Sequence, residues 1–288
     1  MEWLFVPFGV SFVERALWAG LLVSMICALA GTWVVLRGMA FLTDAMSHGM
    51  LPGVAVASVL GGDLLLGAAL SAGAMAAGVS ALDRSRRLSR DTGIGLLFVG
   101  MLATGVIVVS HSKSFAVDLT GFLFGDVLAV TDGDLVRLVV ALVIAVVISV
   151  AAYRPFLALT FDPRKAHTLG MRPRAAGLLM TGLVTLAMVM CFQVVGTLLV
   201  FGLLIAPPAA ALLWANRVPL VMAGAAAVGA AATVLGLLAS WHWGIAAGAG
   251  IAATSVALFF LSALVSALRD RWRAAITGEV EKEVEPVA

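Results

Sequence analysis

Asp44 and His48 stand four residues apart in AFLTDAMSHGMLPGVAVASVL, an otherwise mostly apolar stretch. On a helix, positions i and i+4 share a face about one turn apart. A carboxylate oxygen and an imidazole nitrogen so placed can hold one cation together. That donor pair suits zinc, manganese or ferrous iron, and suits cuprous copper less, because copper(I) prefers thiolate or thioether. A calcium or magnesium site is more often all oxygen. Two protein ligands, with water completing the shell, also fit the need of a transport station to release its ion better than a closed four-ligand site. By helical rise the two residues sit roughly 6 and 12 Å from the start of their span. Thr43 and Ser47 form an adjoining polar ridge, and Pro52 interrupts the backbone ladder and frees carbonyls. Two plainer readings stand beside this one: a hydrogen bond between the pair that serves packing, or a short inner loop in place of a span.

Elimination singles out Asp44 among the sixteen carboxylates. Glu2 and Glu14 precede or open the first apolar stretch. Asp63, Asp118, Asp126, Asp132 and Asp134 fall in or beside loops on one side. Asp83, Asp91, Asp162 and Asp270 fall on the other side, and the remaining four lie in the C-terminal tail. Between 175 and 268 there is no carboxylate, and Arg217 is the sole charged residue. An ionisable group inside a membrane is costly to bury and marks function by default. The other histidines read as ordinary positions. His111 and His242 lie at outer span ends, with His242 in an aromatic anchor between Trp241 and Trp243. His167 lies on the surface of an inner loop. Cys27 and Cys191 are packing residues within apolar segments.

The elements that must position the pair are membrane helices. Hydrophobic residues make up 62% of the 288 and charged residues 12%, with mean hydropathy +1.11; soluble domains carry about 25% charge. Apolar stretches long enough to span a bilayer fall at about 12–36, 40–60, 64–82, 93–110, 135–153, 175–192, 194–214, 219–239 and 244–268. Only Phe192-Gln193 separates the sixth from the seventh, so the expected fold is an all-α integral membrane bundle of 8–9 transmembrane helices. The 30 glycines favour close helix packing. Arg84, Arg86, Arg87, Arg90, Arg154, Arg164, Lys165, Arg172, Arg174, Arg217 and the RDRWR segment fall in alternate loops. The positive-inside rule makes those loops cytoplasmic, and nine spans then place the N-terminus outside and the C-terminus inside. One membrane domain covers 1–268, and the acidic end of 269–288 reads as a disordered cytoplasmic tail.

Two loops exceed a simple turn. The outer 111–134 carries an apolar run too short to span, fit for a re-entrant or interfacial helix. In the inner 154–174, Asp162 can cap a short helix that starts at Pro163 and ends at Gly170. The N-terminus has no basic region, so no cleavable signal peptide is expected. Scattered loop arginines form no single basic face, which argues against nucleic acid. The chain has neither GxxxxGK[ST] nor H-E-x-x-H, so nucleotide hydrolysis and intramembrane metalloproteolysis are not expected of it.

Several blocks resemble the permeases of the zinc/manganese/iron chelate family of ABC importers, the ABC-3 family. They are Gly31-Thr32-Trp33-Val34-Val35-Leu36-Arg37-Gly38-Met39, Asp44-Ala45-Met46-Ser47-His48 and Leu51-Pro52-Gly53. Asp118-Leu119, Phe122-Leu123-Phe124-Gly125, Phe161-Asp162-Pro163 with Gly170, and Val195-Gly196-Thr197-Leu198-Leu199 with Pro207 follow in order. Ala206-Pro207-Pro208-Ala209 departs from the family's hydrophobic-Pro-Ala run. The resemblance is closest to a zinc-importing branch, although the motifs do not separate zinc from manganese. It implies a type II importer fold and a homodimer around a central pathway. It further implies ATP hydrolysis by separate cytoplasmic ABC ATPase subunits, a metal-binding solute-binding protein outside, and a multi-pass location in the bacterial inner or plasma membrane, among its lipids. The family's metal-contacting Asp and His match Asp44 and His48. Its ATPase-coupling segment matches about 160–174, with Asp162, Pro163 and Gly170. Zinc or manganese is then cargo, and no cofactor stays bound. A cation-coupled secondary metal carrier and a metal exporter are the competing readings.

Overall fold

Within hydrocarbon no water is present to bond the backbone, so an apolar chain crosses it as helices. The structure, a computed structural model, describes residues 10–82, 89–110, 125, 127–161 and 171–283. The order is α1 (Ser11–Leu36), α2 (Ala40–Gly49), α3 (Leu51–Leu60), α4 (Leu64–Leu82), α5 (Arg90–Ser110) and a 3-10 turn (Val127–Ala129). Then come α6 (Asp132–Ala151), α7 (Tyr153–Phe161), α8 (Pro173–Leu212), α9 (Val218–Trp243) and α10 (Ala247–Glu283). Among the described residues no strand occurs, and eight helical stretches are long and apolar enough to cross a membrane.

Burial sorts these helices. The α1 span is 67% buried, whereas α5 and α10 are 17% buried each. The centre is therefore α1 packed against α8, whose Val194–Leu212 half is 76% buried, with α9 and α6 beside α1, while α5, α6 and α10 turn apolar faces outward. Small and hydroxylated residues let these helices close up. Ser24 Oγ lies 3.1 Å from Thr233 Oγ1, joining α1 to α9. α3 and α4 cross where Gly53 meets Gly67 backbone to backbone.

The second expected span, 40–60, is a broken helix. α1 ends in a Schellman motif: the Gly38 N–H bonds the Val35 carbonyl and the Met39 N–H bonds the Val34 carbonyl. Gly38 adopts φ +63°, open to glycine at no steric cost. α2 and α3 then meet at Met50, because Pro52 has no N–H to continue the ladder.

The label α8 covers two membrane segments. Forty helical residues would reach about 60 Å, twice the hydrocarbon thickness of about 30 Å. The break is at Gly196, with φ 75° and ψ 161°. Contacts with α1 show that the chain reverses there. Met180 Sδ accepts from Arg37 Nη1 at the C-terminal end of α1, and Cys191 meets Cys27 nearer its middle. Leu204 then lies back against Gly31. The sequence reading put this boundary at Phe192-Gln193. It falls three residues later because only glycine tolerates the backbone angles of the reversal.

Two ends differ from expectation. Thr131 and Asp134 form a capping box that starts α6 at Asp132, three residues before the expected 135. α10 continues to Glu283, past the expected end of the membrane domain at 268 and into the stretch read as disordered. Its Ala, Arg, Glu and Lys residues are good helix formers.

The Gly53–Gly67 crossing makes a contrast testable in thermal unfolding of the detergent-solubilised protein. A Cβ at Gly53 runs into the Gly67 carbonyl and Ser71, whereas one at Gly73 meets nothing within 4 Å. Gly53→Ala is expected to destabilise by about 1–3 kcal/mol. Gly73→Ala is expected to stabilise by about 0.5–1 kcal/mol, as Ala does in a helix interior.

Candidate functional site on the broken helix

Asp44 and His48 both lie on α2, a ten-residue helix, with His48 in its last turn. The reading of this stretch as a loop is therefore not supported. Their side chains are 43% and 33% exposed, and His48 Nε2 is 3.9 Å from Asp44 Oδ1. That separation is too long for a hydrogen bond, so the pair is not spent on itself. The imidazole is held instead by the edge of Phe98 on α5, with ring centroids 5.4 Å apart.

The two faces of α2 differ sharply. Phe41, Asp44 and His48 lie on an open face, while Leu42, Met46 and Met50 are buried against the bundle. Thr43 and Ser47 are buried too, and both bond their own helix: Thr43 Oγ1 donates to the Ala40 carbonyl and Ser47 Oγ to the Thr43 carbonyl. The polar ridge expected beside the pair thus faces inward and is already satisfied. One carbonyl near the Pro52 break, that of Gly49, accepts from Ser71 Oγ on α4 at 2.7 Å. Spacing along α2 carried no sign of Phe98 or Ser71, since both lie on other helices.

Among the described residues no group of three or more His, Cys, Asp or Glu side chains gathers to hold a metal. Among the described residues of one chain, Asp44 and His48 are the two donors brought to this place. His242 donates from Nδ1 to the Leu238 carbonyl at 2.8 Å, and its neighbours Trp241 and Trp243 are exposed, as an aromatic anchor would be. His111, His167, Asp162, Pro163 and Gly170 lie outside the described residues.

A second place in the core joins two blocks far apart in sequence. Gly125, at φ +62°, packs its backbone on Val195 and Gly196 at the reversal of α8. Val127 and Val130, just beyond, are buried. Gly125 thus covers the α8 turn from the stretch before α6.

Among the described residues, eight long apolar segments and one broken helix that turns Asp44 and His48 to its open face define a multi-pass membrane protein. The chain belongs to the ABC 3 transport family, whose model matches residues 9–266. It is 37% identical to the manganese transport system membrane protein MntC of Halalkalibacterium halodurans, over 91% of each chain. It is 33% identical to a Haemophilus influenzae protein named as a probable iron transport system membrane protein, over 94% of this chain and 99% of that one. Among solved structures, it superposes on PsaBC from Streptococcus pneumoniae in complex with Fab with a TM-score of 0.80 and 32% identity, over 90% of this chain and 94% of that one. The type II importer permease fold read from the sequence is the fold observed.

Partly exposed and not hydrogen-bonded to each other, Asp44 and His48 make one aromatic contact between them, His48 to Phe98. Asp44→Ala and His48→Ala are each expected to change unfolding free energy by about 0.5 kcal/mol or less. Gly196→Ala is expected to lose about 1–3 kcal/mol, because its angles are close to glycine-only. Thermal unfolding in detergent measures all three; a large loss for either α2 variant would make the pair structural.

Proposed function

We propose that this chain is the permease subunit of an ATP-driven importer of a divalent transition metal, with manganese(II) the first choice of cargo. The observation that carries the reading is the Asp44–His48 pair, one helical turn apart on the open face of α2. Two copies meeting across that face would bring two carboxylates and two imidazoles to a shared pathway. Mixed oxygen and nitrogen donors suit manganese, with water filling its remaining positions. The motifs alone put zinc first. The manganese relative named above now favours manganese, with iron and zinc as competitors.

Residues 1–268 act as one permease domain in this reading, and 269–288 extend it into the cytoplasm. The chain carries no phosphate-binding loop, so a partner ATPase supplies the energy. That partner docks on the segment about 160–174, with Asp162, Pro163 and Gly170 shaping the contact. A solute-binding protein delivers metal outside. ATP binding and hydrolysis rock the paired bundles, the ion passes Asp44 and His48, and it leaves to the cytoplasm. The ion is substrate throughout.

The test is uptake of radiolabelled manganese, zinc and iron by metal-starved cells making the chain with its ATPase and binding protein. Manganese import is expected to exceed the other two. Asp44→Ala and His48→Ala are expected to lower it at least about 10–100-fold, the loss seen when a metal site's support is removed. Normal import by both variants would remove the pair from the pathway. Import that persists without the ATPase would favour a secondary carrier, and metal loss from loaded cells would favour an exporter.

A further inference from the structure

Trp33 is fully buried in α1, and among the described residues its indole Nε1–H has no hydrogen-bond partner. Native interiors keep few such donors, since leaving one unmade is destabilising. Trp33 does make two aromatic contacts with α7. Its ring centroid is 5.4 Å from that of Phe156 and 6.0 Å from that of Tyr153, both edge-on. Phe156 is itself fully buried. α7 ends at Phe161, next to residue 162. The far end of α7 therefore adjoins the segment proposed above to receive the ATPase.

On its other side, Trp33 is tied to the candidate metal site through the backbone. The Trp33 carbonyl accepts from the Arg37 N–H at 3.1 Å. Val34 and Val35, the next two residues, accept the two bonds of the Schellman motif that fixes the turn into α2. Asp44 and His48 follow on that helix within one to three turns of the elbow. α2 rests on the bundle through Met39, Leu42, Met46 and Met50, all buried. Methionine side chains re-pack readily, so this seat lets the helix change its tilt without opening a void.

We propose that Trp33 is a positioning residue: pressed by Phe156, it carries a displacement of α7 into the α1–α2 elbow and so moves Asp44 and His48. The inference rests on the importer reading, because the push must come from an ATPase beyond α7. A tight aromatic contact suits the task, since packed interiors switch between discrete arrangements and do not stretch. The unmatched indole donor fits a switching element, because another arrangement can be favoured by giving it a partner.

The experiment uses the whole transporter, this chain with its ATPase, in proteoliposomes with the binding protein and manganese(II). Uptake and ATP hydrolysis are read in the same sample. Trp33→Ala is expected to keep hydrolysis within about two-fold of wild type while manganese imported per ATP falls about ten-fold, a size usual for coupling between linked sites. Trp33→Phe, which keeps an aromatic edge for Phe156, is expected to restore most of that ratio. Phe156→Leu is expected to lower it with Trp33 intact, and serves if Trp33→Ala does not assemble. Trp18→Ala, on the exposed side of the same helix, is the control with an unchanged ratio. An unchanged import per ATP in Trp33→Ala and Phe156→Leu overturns the proposal, as does a parallel fall of uptake and hydrolysis. Asp44→Ala is run alongside: if it imports normally, the site reading fails by itself and takes with it the object on which Trp33 would act.

Discussion

The constraint on which everything else here depends is that a backbone in hydrocarbon must satisfy its own polar groups. Regular helix meets it, so each departure from helix needs local cover. Three departures stand out: the Gly38 elbow, the Pro52 break and the Gly196 reversal. Each has its cover in place. The elbow closes two carbonyls by a Schellman motif. Near the Pro52 break, Ser71 reaches across from α4 to bond the Gly49 carbonyl. The reversal is packed under Gly125, from the stretch before α6. Irregular backbone at membrane depth is tolerated where protein or a water-lined cavity surrounds it, which is why it gathers in the working parts of transporters.

The elbow and the Pro52 break bound α2 and give it its character. Ten residues set off at both ends form a unit that can shift without bending a long helix. Its buried side is a seam of Met39, Leu42, Met46 and Met50, and its other side presents Asp44 and His48. A carboxylate turned into the bundle core would face a desolvation penalty that only a buried cation could offset. Turned to an open face, it keeps access to water or to a second copy. The direction of α2 is thus set by a simple contest: thioether and leucine side chains take the core, and the ionisable pair takes what is left.

Much of this was legible in the sequence. Span limits such as 64–82 match α4 residue for residue, because apolar length and loop charge are read directly from composition along the chain. The pair was legible because charge inside an apolar run is rare and the i, i+4 spacing places both residues on one face. What was not legible depends on a third dimension. The side to which Thr43 and Ser47 turn depends on where the core lies, and their hydroxyls bond the α2 backbone and do not join the site. Phe98 and Ser71 act from neighbouring helices, so no local pattern marked them. The turn in α8 lies at Gly196, three residues past the polar Gln193, because backbone freedom and not polarity places it. In a buried reversal the backbone angle is the stricter demand.

The separation of the pair supports the proposed role of α2 in a further way. A metal bound at about 2.1 Å from each donor holds them about 3.0–3.4 Å apart in octahedral or tetrahedral arrangements. Asp44 Oδ1 and His48 Nε2 stand 3.9 Å apart without a bond between them. Closing the difference takes about 0.5–0.9 Å, less than one rotamer step of either side chain. A pair already joined by a hydrogen bond would have to break it before accepting a cation, and a pair on opposite faces would have to unwind the helix. This pair needs neither. Phe98 limits the ring on one side without consuming a nitrogen. The remaining freedom lies in the carboxylate and in the tilt of α2 itself. Binding and release can therefore be governed by a small movement of one short helix, in keeping with its flexible buried seat and the breaks at its two ends.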